Sequence, residues 1–163
     1  MSYRIGLDLG GTKVLGIVTD NEHKVVHRKK HRLSNRTDIS AVMDQISNVY
    51  FELAEQLGDE KIASVGIALP SPVDNKLGHA KYLTAFQEKE LPVRDMLKER
   101  TGVDVKLGND VNMATLAEYK FGAGKTKDML FVTVSTGVGG GLVSNGRLIT
   151  GKTGLAGHIG HIQ

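Results

Sequence analysis

Cysteine is absent from this chain of 163 residues, and long hydrophobic runs are absent as well. Without cysteine the chain can form neither a disulfide nor a thiolate metal site of its own. No apolar run approaches the roughly 20 residues that a membrane-spanning helix needs. The sequence also opens without a charged and then apolar leader. We therefore expect a cytoplasmic protein that does not act at a membrane.

Excess charge of one sign is small, because 21 Lys and Arg against 18 Asp and Glu give a formal net charge of +3. A charge of this size is compatible with a phosphorylated ligand or with nucleic acid and does not choose between them. The 40% hydrophobic and 24% charged residues are ordinary for a globular domain. Composition therefore predicts a folded protein and leaves its ligand open.

The start of the chain has the pattern of a three-strand meander. The predicted strands are Tyr3–Leu9, Val14–Thr19 and Lys24–Arg32. Because a strand follows Gly10-Gly11, this turn is neither a P-loop nor a dinucleotide fingerprint, both of which need a helix directly after the glycines. The basic run 27–32 has no interleaved aromatic residue, which is typical of a solvated strand end rather than of a nucleic-acid site.

The rest of the chain alternates helices and strands. Spacing, caps and breakers predict a helix over 39–57, a strand over 62–69, an irregular loop over 74–90, a helix over 92–100, a strand over 103–107, a helix from 109 or 110 to 122, a strand over 129–135 and a hairpin over 142–149. The order β-β-β-α-β-α-β-α predicts an α/β domain of the ribonuclease-H-like, actin-like ATPase class, followed by the start of a second such domain. The polar, glycine-rich segment Gly122–Lys127 suggests a boundary, with domains at 1–122 and 123–163.

Two segments have the composition of phosphate-binding turns. Asp8–Lys13 places a carboxylate at a strand end, then two glycines, a hydroxyl and an ammonium, a set that can hold Mg²⁺ through water and neutralise phosphate oxygens. Thr133–Gly141 runs from a strand into a turn with four glycines in five positions, where backbone N–H groups would be open to an anion. The structural alternatives are a charged hairpin turn and a flexible hairpin tip. Two such turns at strand ends are a more specific signal of a phosphate-binding site than either turn alone.

A carboxylate follows between these segments, at Gly108-Asn109-Asp110, where a helix is predicted to begin. The helix dipole should keep Asp110 ionised, so that it can accept a hydroxyl proton while the amide of Asn109 bonds other hydroxyls. The structural alternative is a plain N-cap, for which Asn and Asp are favoured. The residues alone leave both open.

At this point the chain resembles the ROK family of repressors and sugar kinases, from Tyr3 to His161. The segments that carry the resemblance are Gly6–Lys13, Gly66–Asp74, Gly108–Asn112 with Ala114, Ala117-Glu118 and Phe121–Gly124, Ser135–Gly141, and Gly154–His161. The resemblance covers the N-terminal half of a family member, since the chain ends at Gln163 just after the histidine motif.

The resemblance implies an ATP and Mg²⁺ site and a sugar site. The nucleotide would contact Asp8, Gly10, Gly11, Thr12, Lys13, Thr136, Gly137, Gly139 and Gly140, with Asp8 holding Mg²⁺ through water. The sugar would contact Asn109, Asp110, His158 and His161, with Asp110 as the catalytic base. His158 stands where most family kinases carry Glu, and it is a neutral hydrogen-bonding partner for hydroxyl or acetamido oxygens, or else an ordinary loop histidine.

The implied function is the N-terminal portion of an ATP-dependent kinase acting on the 6-hydroxyl of a hexose or N-acetylhexosamine, with N-acetylmannosamine the expected sugar. The alternatives are a glucokinase or N-acetylglucosamine kinase of the same family, or a non-catalytic sugar-binding regulator. His161 matches the position that in many family members helps ligate a structural Zn²⁺ together with downstream cysteines. This chain has no cysteine, so the resemblance allows the zinc in a full-length form and not in this chain. We expect sugar and ATP as partners, no nucleic acid, and a homodimer or association with a C-terminal half outside this chain.

Overall fold

A computed structural model describes residues 1–124, 126–134 and 137–161. The strands are β1 (Ser2–Leu9), β2 (Lys13–Thr19), β3 (Val25–Arg32), β4 (Lys61–Leu69), β5 (Val73–Asp74), β6 (His79–Leu83), β7 (Glu88–Leu91), β8 (Val105–Asn109), β9 (Met129–Val134), β10 (Val138–Ser144) and β11 (Arg147–Ile149). The α-helices are α1 (Ile39–Glu55), α2 (Val93–Thr101) and α3 (Asp110–Phe121), and short 3-10 helices occur at Thr84–Phe86 and Ile159–His161.

The chain forms two compact units, Met1–Gly108 and Asn109–Gln163. Helix α3 contacts β9, β10 and β11, and it therefore belongs with the second unit. The polar segment 122–127, where the sequence predicts a boundary, lies inside this second unit.

The first unit is built on a five-stranded sheet in the order β3-β2-β1-β4-β8. β1 pairs antiparallel with β2, which pairs antiparallel with β3, and β1 pairs parallel with β4. The meander and the strand that follows the first helix were both predicted, and the predicted fold class is confirmed. The parallel pair requires a crossover, which α1 supplies.

Helix α1 covers one face of this sheet because its apolar residues recur every three or four positions. Asp38 caps its start by accepting hydrogen bonds from the backbone N–H groups of Ser40 (2.9 Å) and Ala41 (3.3 Å). The buried side chains of α1 are Val42, Met43, Ile46, Ser47, Val49, Tyr50 and Leu53. They pack on alternate residues of β1, so this face of the sheet holds the core.

Gly16 in β2 sets the distance between α1 and the sheet. A Cβ at this position would lie 2.6 Å from Leu53 Cδ1 and 2.7 Å from Val49 Cγ1. Only glycine leaves room for the helix at this separation. The close approach fixes α1 over the centre of β2.

The prediction of an irregular loop over 74–90 is wrong, because this segment forms a second, small antiparallel sheet in the order β5-β6-β7. Its buried apolar side chains include Ala80, Leu83 and Phe86. The strands have only two, five and four residues, which is too short for alternation to be visible in the sequence.

The second unit is a three-stranded antiparallel sheet in the order β11-β10-β9, with α3 against it. The predicted turn at Asn145-Gly146 is confirmed: both residues have positive φ, 49° and 75°, as a two-residue hairpin of this kind requires. Across the described residues, no helix combines the length and apolar character that crossing a bilayer needs.

Candidate functional site

The connection between β1 and β2 is a tight three-residue turn, Gly10-Gly11-Thr12. The backbone N–H of Gly10 donates to the carbonyl of Lys13 at 2.8 Å and closes the turn. Asp8, at the end of β1, and both Thr12 and Lys13 are exposed. The turn therefore presents a carboxylate, a hydroxyl and an ammonium within six residues.

Three neighbours of the turn hold it in place. The carbonyl of Thr12 accepts from the backbone N–H of Leu33 at 3.0 Å, and the carbonyl of Gly11 accepts from Arg36 Nη1 at 3.0 Å. A Cβ at Gly11 would lie 3.4 Å from the Cβ of Ala85, so the 3-10 helix at Thr84–Phe86 packs closely on the glycine. Sequence reasoning did not find Arg36, and no local pattern marks it.

The donor set of this turn suits phosphate and a largely hydrated Mg²⁺. Mg²⁺ keeps several waters and needs only one or two protein carboxylates together with phosphate oxygens, and Asp8 supplies one. Within residues 1–124 the side chain of Lys13 takes part in no described ion pair. Across the described residues, no group of three or more His, Asp or Glu could form a protein-only metal cage. Asp8 is the one carboxylate of this turn that could hold a hydrated Mg²⁺.

In the second unit, Asn109 and Asp110 form the start of α3. Asn109 is the N-cap, since its Oδ1 accepts from the backbone N–H of Asn112 at 3.0 Å. Its Nδ2 donates to Asp110 Oδ1 at 3.0 Å, and the N–H of Val111 donates to the same oxygen at 2.8 Å. Asn109 is buried, so the side chain that orients the Asp110 carboxylate is itself held in place by its surroundings. The sequence predicts either an N-cap or a functional pair at these two residues. In the structure Asn109 has the N-cap geometry, and the carboxylate of Asp110 is also oriented by two hydrogen bonds.

The glycine run differs from its predicted form. Gly139, Gly140 and Gly141 lie within β10, paired with Thr133, Val132 and Phe131, and they do not form a turn. A Cβ at Gly139 would lie 3.3 Å from Val111 Cγ2, and one at Gly141 would overlap Thr115. These positions are glycine because α3 packs closely on β10. Periodicity in the sequence cannot reveal such a contact between two elements.

The connection between β9 and β10 comprises residues 135–137, and the structure describes Gly137 among them. Among the described residues, no atom lies within 4 Å of a Cβ placed on Gly137, which leaves space there for a ligand. Thr136, predicted to contact nucleotide, lies outside the described residues, as does Ser135 before it.

The histidine motif packs on the other face of β10. A Cβ at Gly140 would lie 3.0 Å from the carbonyl of Gly157, and one at Gly157 would meet the carbonyl of Gly140 at 2.6 Å. Gly157 has φ of 89°, which glycine adopts readily. His158 follows in this bend and is half-buried. The side chain of His161 lies outside the described part of the chain.

The second unit thus brings several predicted residues together around one strand. Asp110 starts the helix on one face of β10, Gly139 and Gly140 lie within the strand, and His158 follows the segment on its other face. The sheet order, the parallel β1 and β4 and the crossover helix define the fold as that of the actin-like ATPases, in the form seen in ROK kinases.

The sequence model of the ROK family matches residues 4–163, and the chain belongs to this family. A glucokinase of Streptomyces coelicolor is 31% identical over 164 residues, which cover 100% of this chain and 50% of that protein. An N-acetylmannosamine kinase of Citrobacter koseri is 34% identical over 161 residues, covering 96% of this chain and 53% of that protein.

A solved structure shows the same fold. It is a ROK family glucokinase from Streptomyces griseus in complex with glucose and AMPPNP, which superimposes with a TM-score of 0.87 at 30% identity. The alignment covers 99% of this chain and 50% of that one. The chain therefore spans about half the length of the relatives that it matches.

Proposed function

We propose that this chain is the N-terminal portion of a sugar kinase that transfers the γ-phosphoryl group of ATP to a sugar hydroxyl. The observation that carries the proposal is the fixed Asp110 carboxylate at the start of α3, beside the glycine strand β10. The relatives named above are sugar kinases, which supports the reaction class. ATP as the donor is supported by the AMPPNP complex of the Streptomyces griseus glucokinase. Such an enzyme would act in the cytoplasm.

Asp110 would act as the catalytic base through its second oxygen. Oδ1 accepts two hydrogen bonds, from Asn109 and Val111, whereas no hydrogen bond to Oδ2 is described within residues 1–124, 126–134 and 137–161. Oδ2 is therefore the oxygen that would accept the proton of the attacking hydroxyl. Phosphoryl transfer depends mainly on positioning and charge compensation, and a carboxylate held by two donors satisfies the first requirement.

The turn Gly10–Lys13 would bind phosphate oxygens. Lys13 would neutralise part of their charge and Thr12 would donate a hydroxyl hydrogen bond. Asp8 would hold Mg²⁺ through water, and the bound ion would offset the negative charge that develops on the phosphate oxygens. In the second unit, Gly137 would leave backbone N–H groups open to the same kind of anion.

For the sugar, we propose N-acetylmannosamine, with glucose and N-acetylglucosamine as the competing substrates. Asn109 and His158 would be the discriminating contacts. His158 lies beside Gly157, which packs on β10, and an imidazole in this place can hydrogen bond to a hydroxyl or an acetamido oxygen. Relatives with a similar sequence identity to this chain include both glucokinases and N-acetylmannosamine kinases. An activity assay must therefore decide which sugar is the substrate.

A coupled ADP-release assay with the three sugars tests the proposal. We expect one sugar to stimulate ADP release, and we expect Asp110→Asn to lower turnover by at least about a hundredfold while sugar binding by calorimetry persists. Asp104→Asn, at an exposed acid of the first unit, is the matched control and should leave turnover unchanged. Unchanged turnover in Asp110→Asn would contradict the base assignment. Failure of every sugar both to bind and to stimulate ADP release would contradict the kinase proposal.

A further inference from the structure

Strand β3 is the edge strand of the five-stranded sheet, and β2 is its one neighbour in that sheet among the described residues. Along an antiparallel strand, residues alternate between those that hydrogen bond to one side and those that hydrogen bond to the other. The backbone N–H of Leu33 donates to the carbonyl of Thr12 at 3.0 Å, so Leu33 and alternate residues before it bond to the β2 side. The backbone groups of Arg28, Lys30 and Arg32 therefore point outward, away from the sheet.

The side chains of these three residues form a cationic row on the sheet face opposite α1. All three are exposed. Across the ladder they pair with Lys13, Leu15 and Ile17 of β2, none of which is acidic. Within residues 1–124, no described ion pair uses a member of the row. The row therefore presents three positive charges at the same residues that present outward backbone groups.

The α1 side of the same edge is a groove with an aromatic wall. The groove has a volume of about 500 Å³, and the residues that line it include His31, Phe51 and Glu52. Phe51 is 46% exposed, and its ring meets that of Tyr50 edge-on, with 5.4 Å between ring centroids. The cations of β3 on this side have a counter-ion, since Lys29 Nζ is 3.3 Å and His31 Nε2 is 3.2 Å from the Glu52 carboxylate. This side therefore favours an apolar group over a charged one.

A polypeptide strand added to β3 would use both sides of the edge. It would lie about 5 Å beyond β3, and its side chains would point alternately to the two faces of the sheet. Side chains directly opposite the cationic row would meet positive charge, and those between them would meet the groove and Phe51. Acidic residues that alternate with apolar residues would therefore match the edge at every position.

Two other occupants fit this edge less well. A second copy of β3 would place cations opposite the cationic row, and like charges directly opposite each other destabilise strand pairing. A nucleic acid strand would neutralise the row, but it does not carry the alternating N–H and C=O groups that continue a ladder. Binding of a single strand also usually needs aromatic side chains for base stacking, and neither β2 nor β3 contains Phe, Tyr or Trp.

We propose that β3 binds an extended acidic segment of a partner protein by strand addition. Acidic side chains of that segment lie along the cationic row, and apolar side chains between them enter the groove beside Phe51. Main-chain hydrogen bonds to Arg28, Lys30 and Arg32 hold the segment, while the two faces of the edge select its alternating pattern. The sheet of the first unit thereby gains one strand.

A peptide of about seven residues, in which Glu alternates with Leu, tests the proposal in calorimetric titrations of the chain. The double variant Arg28→Glu, Lys30→Glu should bind it at least about tenfold more weakly, because opposite charges across the ladder become like charges. Phe51→Ala should weaken binding at least about threefold through the lost apolar contact. The control pair Lys89→Glu, Lys98→Glu makes the same charge change at exposed lysines elsewhere and should leave the affinity within about a factor of two.

Hydrogen exchange separates strand addition from attraction by charge alone. We expect the backbone amides of Arg28, Lys30 and Arg32 to exchange rapidly in the free chain and to become protected in the complex, because they then donate to the peptide. The same peptide with N-methyl groups along its backbone keeps its charge and loses its donors, and it should bind at least about tenfold more weakly.

Four results would overturn the proposal. The first is no binding of the alternating peptide, and the second is unchanged exchange of the three amides in its complex. The third is equal affinity for the N-methylated peptide or for a peptide of the same length composed of Glu alone. The fourth is equal weakening by the β3 pair and by the control pair, which would mean that net charge and not the edge strand attracts the peptide.

Discussion

Asn109 donates a hydrogen bond from Nδ2 to Asp110 Oδ1 at 3.0 Å while its own Oδ1 accepts from the backbone N–H of Asn112. One buried side chain therefore both caps α3 and orients the neighbouring carboxylate. These two roles require different atoms, a carbonyl oxygen for the cap and an amide nitrogen for Asp110. Substitutions can separate them.

Asn109→Ala should lose both roles, and Asn109→Ser should retain only the cap. The cap contributes about 1 kcal/mol to stability, so urea unfolding should show a loss of that size in the alanine variant and a few tenths in the serine variant. Both should lower turnover at least about tenfold, because the carboxylate is no longer oriented. Wild-type turnover in Asn109→Ser would show that the hydrogen bond to Asp110 does not matter for the reaction.

The glycines of β10 and of the preceding turn should respond differently to the same substitution. Gly141→Ala would force its Cβ into Thr115 and should destabilise the protein by about 1–3 kcal/mol. Gly137→Ala has open space around the new methyl group, so urea unfolding should be unchanged. We expect weaker ATP binding in Gly137→Ala, measured by calorimetry. Equal destabilisation by both substitutions would contradict the packing described here.

Gly16 and Gly6 provide a similar pair in the first unit. Gly16→Ala should cost about 1–3 kcal/mol, because α1 must shift away from Leu53 and Val49 contacts shorter than 3 Å. Gly6→Ala would place its Cβ 3.5 Å from Ile17 Cγ1, an ordinary contact, and should be nearly neutral. Urea midpoints of the two variants check the difference, and a neutral Gly16→Ala would mean that α1 is not held at this distance.

Asp128 should make the stability of the second unit depend on pH. The backbone N–H of Asn145, then the hydroxyl of Ser144, hydrogen bond to its carboxylate and lower its pKa below the usual 3.8. Because the pKa is lower in the folded state, the contribution is complete above the unfolded value and is lost as pH falls through the folded one. Asp128→Ala should therefore be less stable than wild type at pH 7. The difference should shrink under acid conditions below the folded pKa.

Urea unfolding of wild type and Asp128→Ala, at pH 7 and at a pH below the folded pKa of Asp128, measures this difference in stability. Ser144→Ala is the control, because it removes one donor and retains the backbone hydrogen bond from Asn145. It should show a smaller loss with the same pH dependence. A difference that does not change with pH would mean that the carboxylate charge does not contribute.

The sequence predicted the larger elements because each carried a local signal. The 3.6-residue spacing and the Asp38 cap located α1 to within two residues at its end, and Asn145-Gly146 located the hairpin turn. Asn109 and Asp110 were predicted as site residues because a cap position attracts the same residue types that the proposed chemistry needs. Their mutual hydrogen bond was not visible in the sequence, since it depends on side-chain conformation.

Features that depend on tertiary contact were missed or misassigned. The small sheet β5-β6-β7 has strands too short for a periodic signal. Gly139 and Gly141 were assigned to a turn, whereas the packing of α3 requires them within β10. Arg36, which holds the Gly11 carbonyl, comes from a segment that reads only as a polar loop. In each case the partner that explains the residue is distant in sequence or comes from another element.

The glycines of β10 also let the strand pack closely on two neighbours in the second unit. Gly139 and Gly141 face α3, and Gly140 faces the bend that precedes His158. At these three positions β10 contributes only backbone to the two contacts, so α3 and the bend pack against opposite faces of the strand's backbone. A side chain introduced at any one of Gly139, Gly140 and Gly141 would therefore push β10 away from one of these two neighbours, so the strand can keep both only while all three positions are glycine.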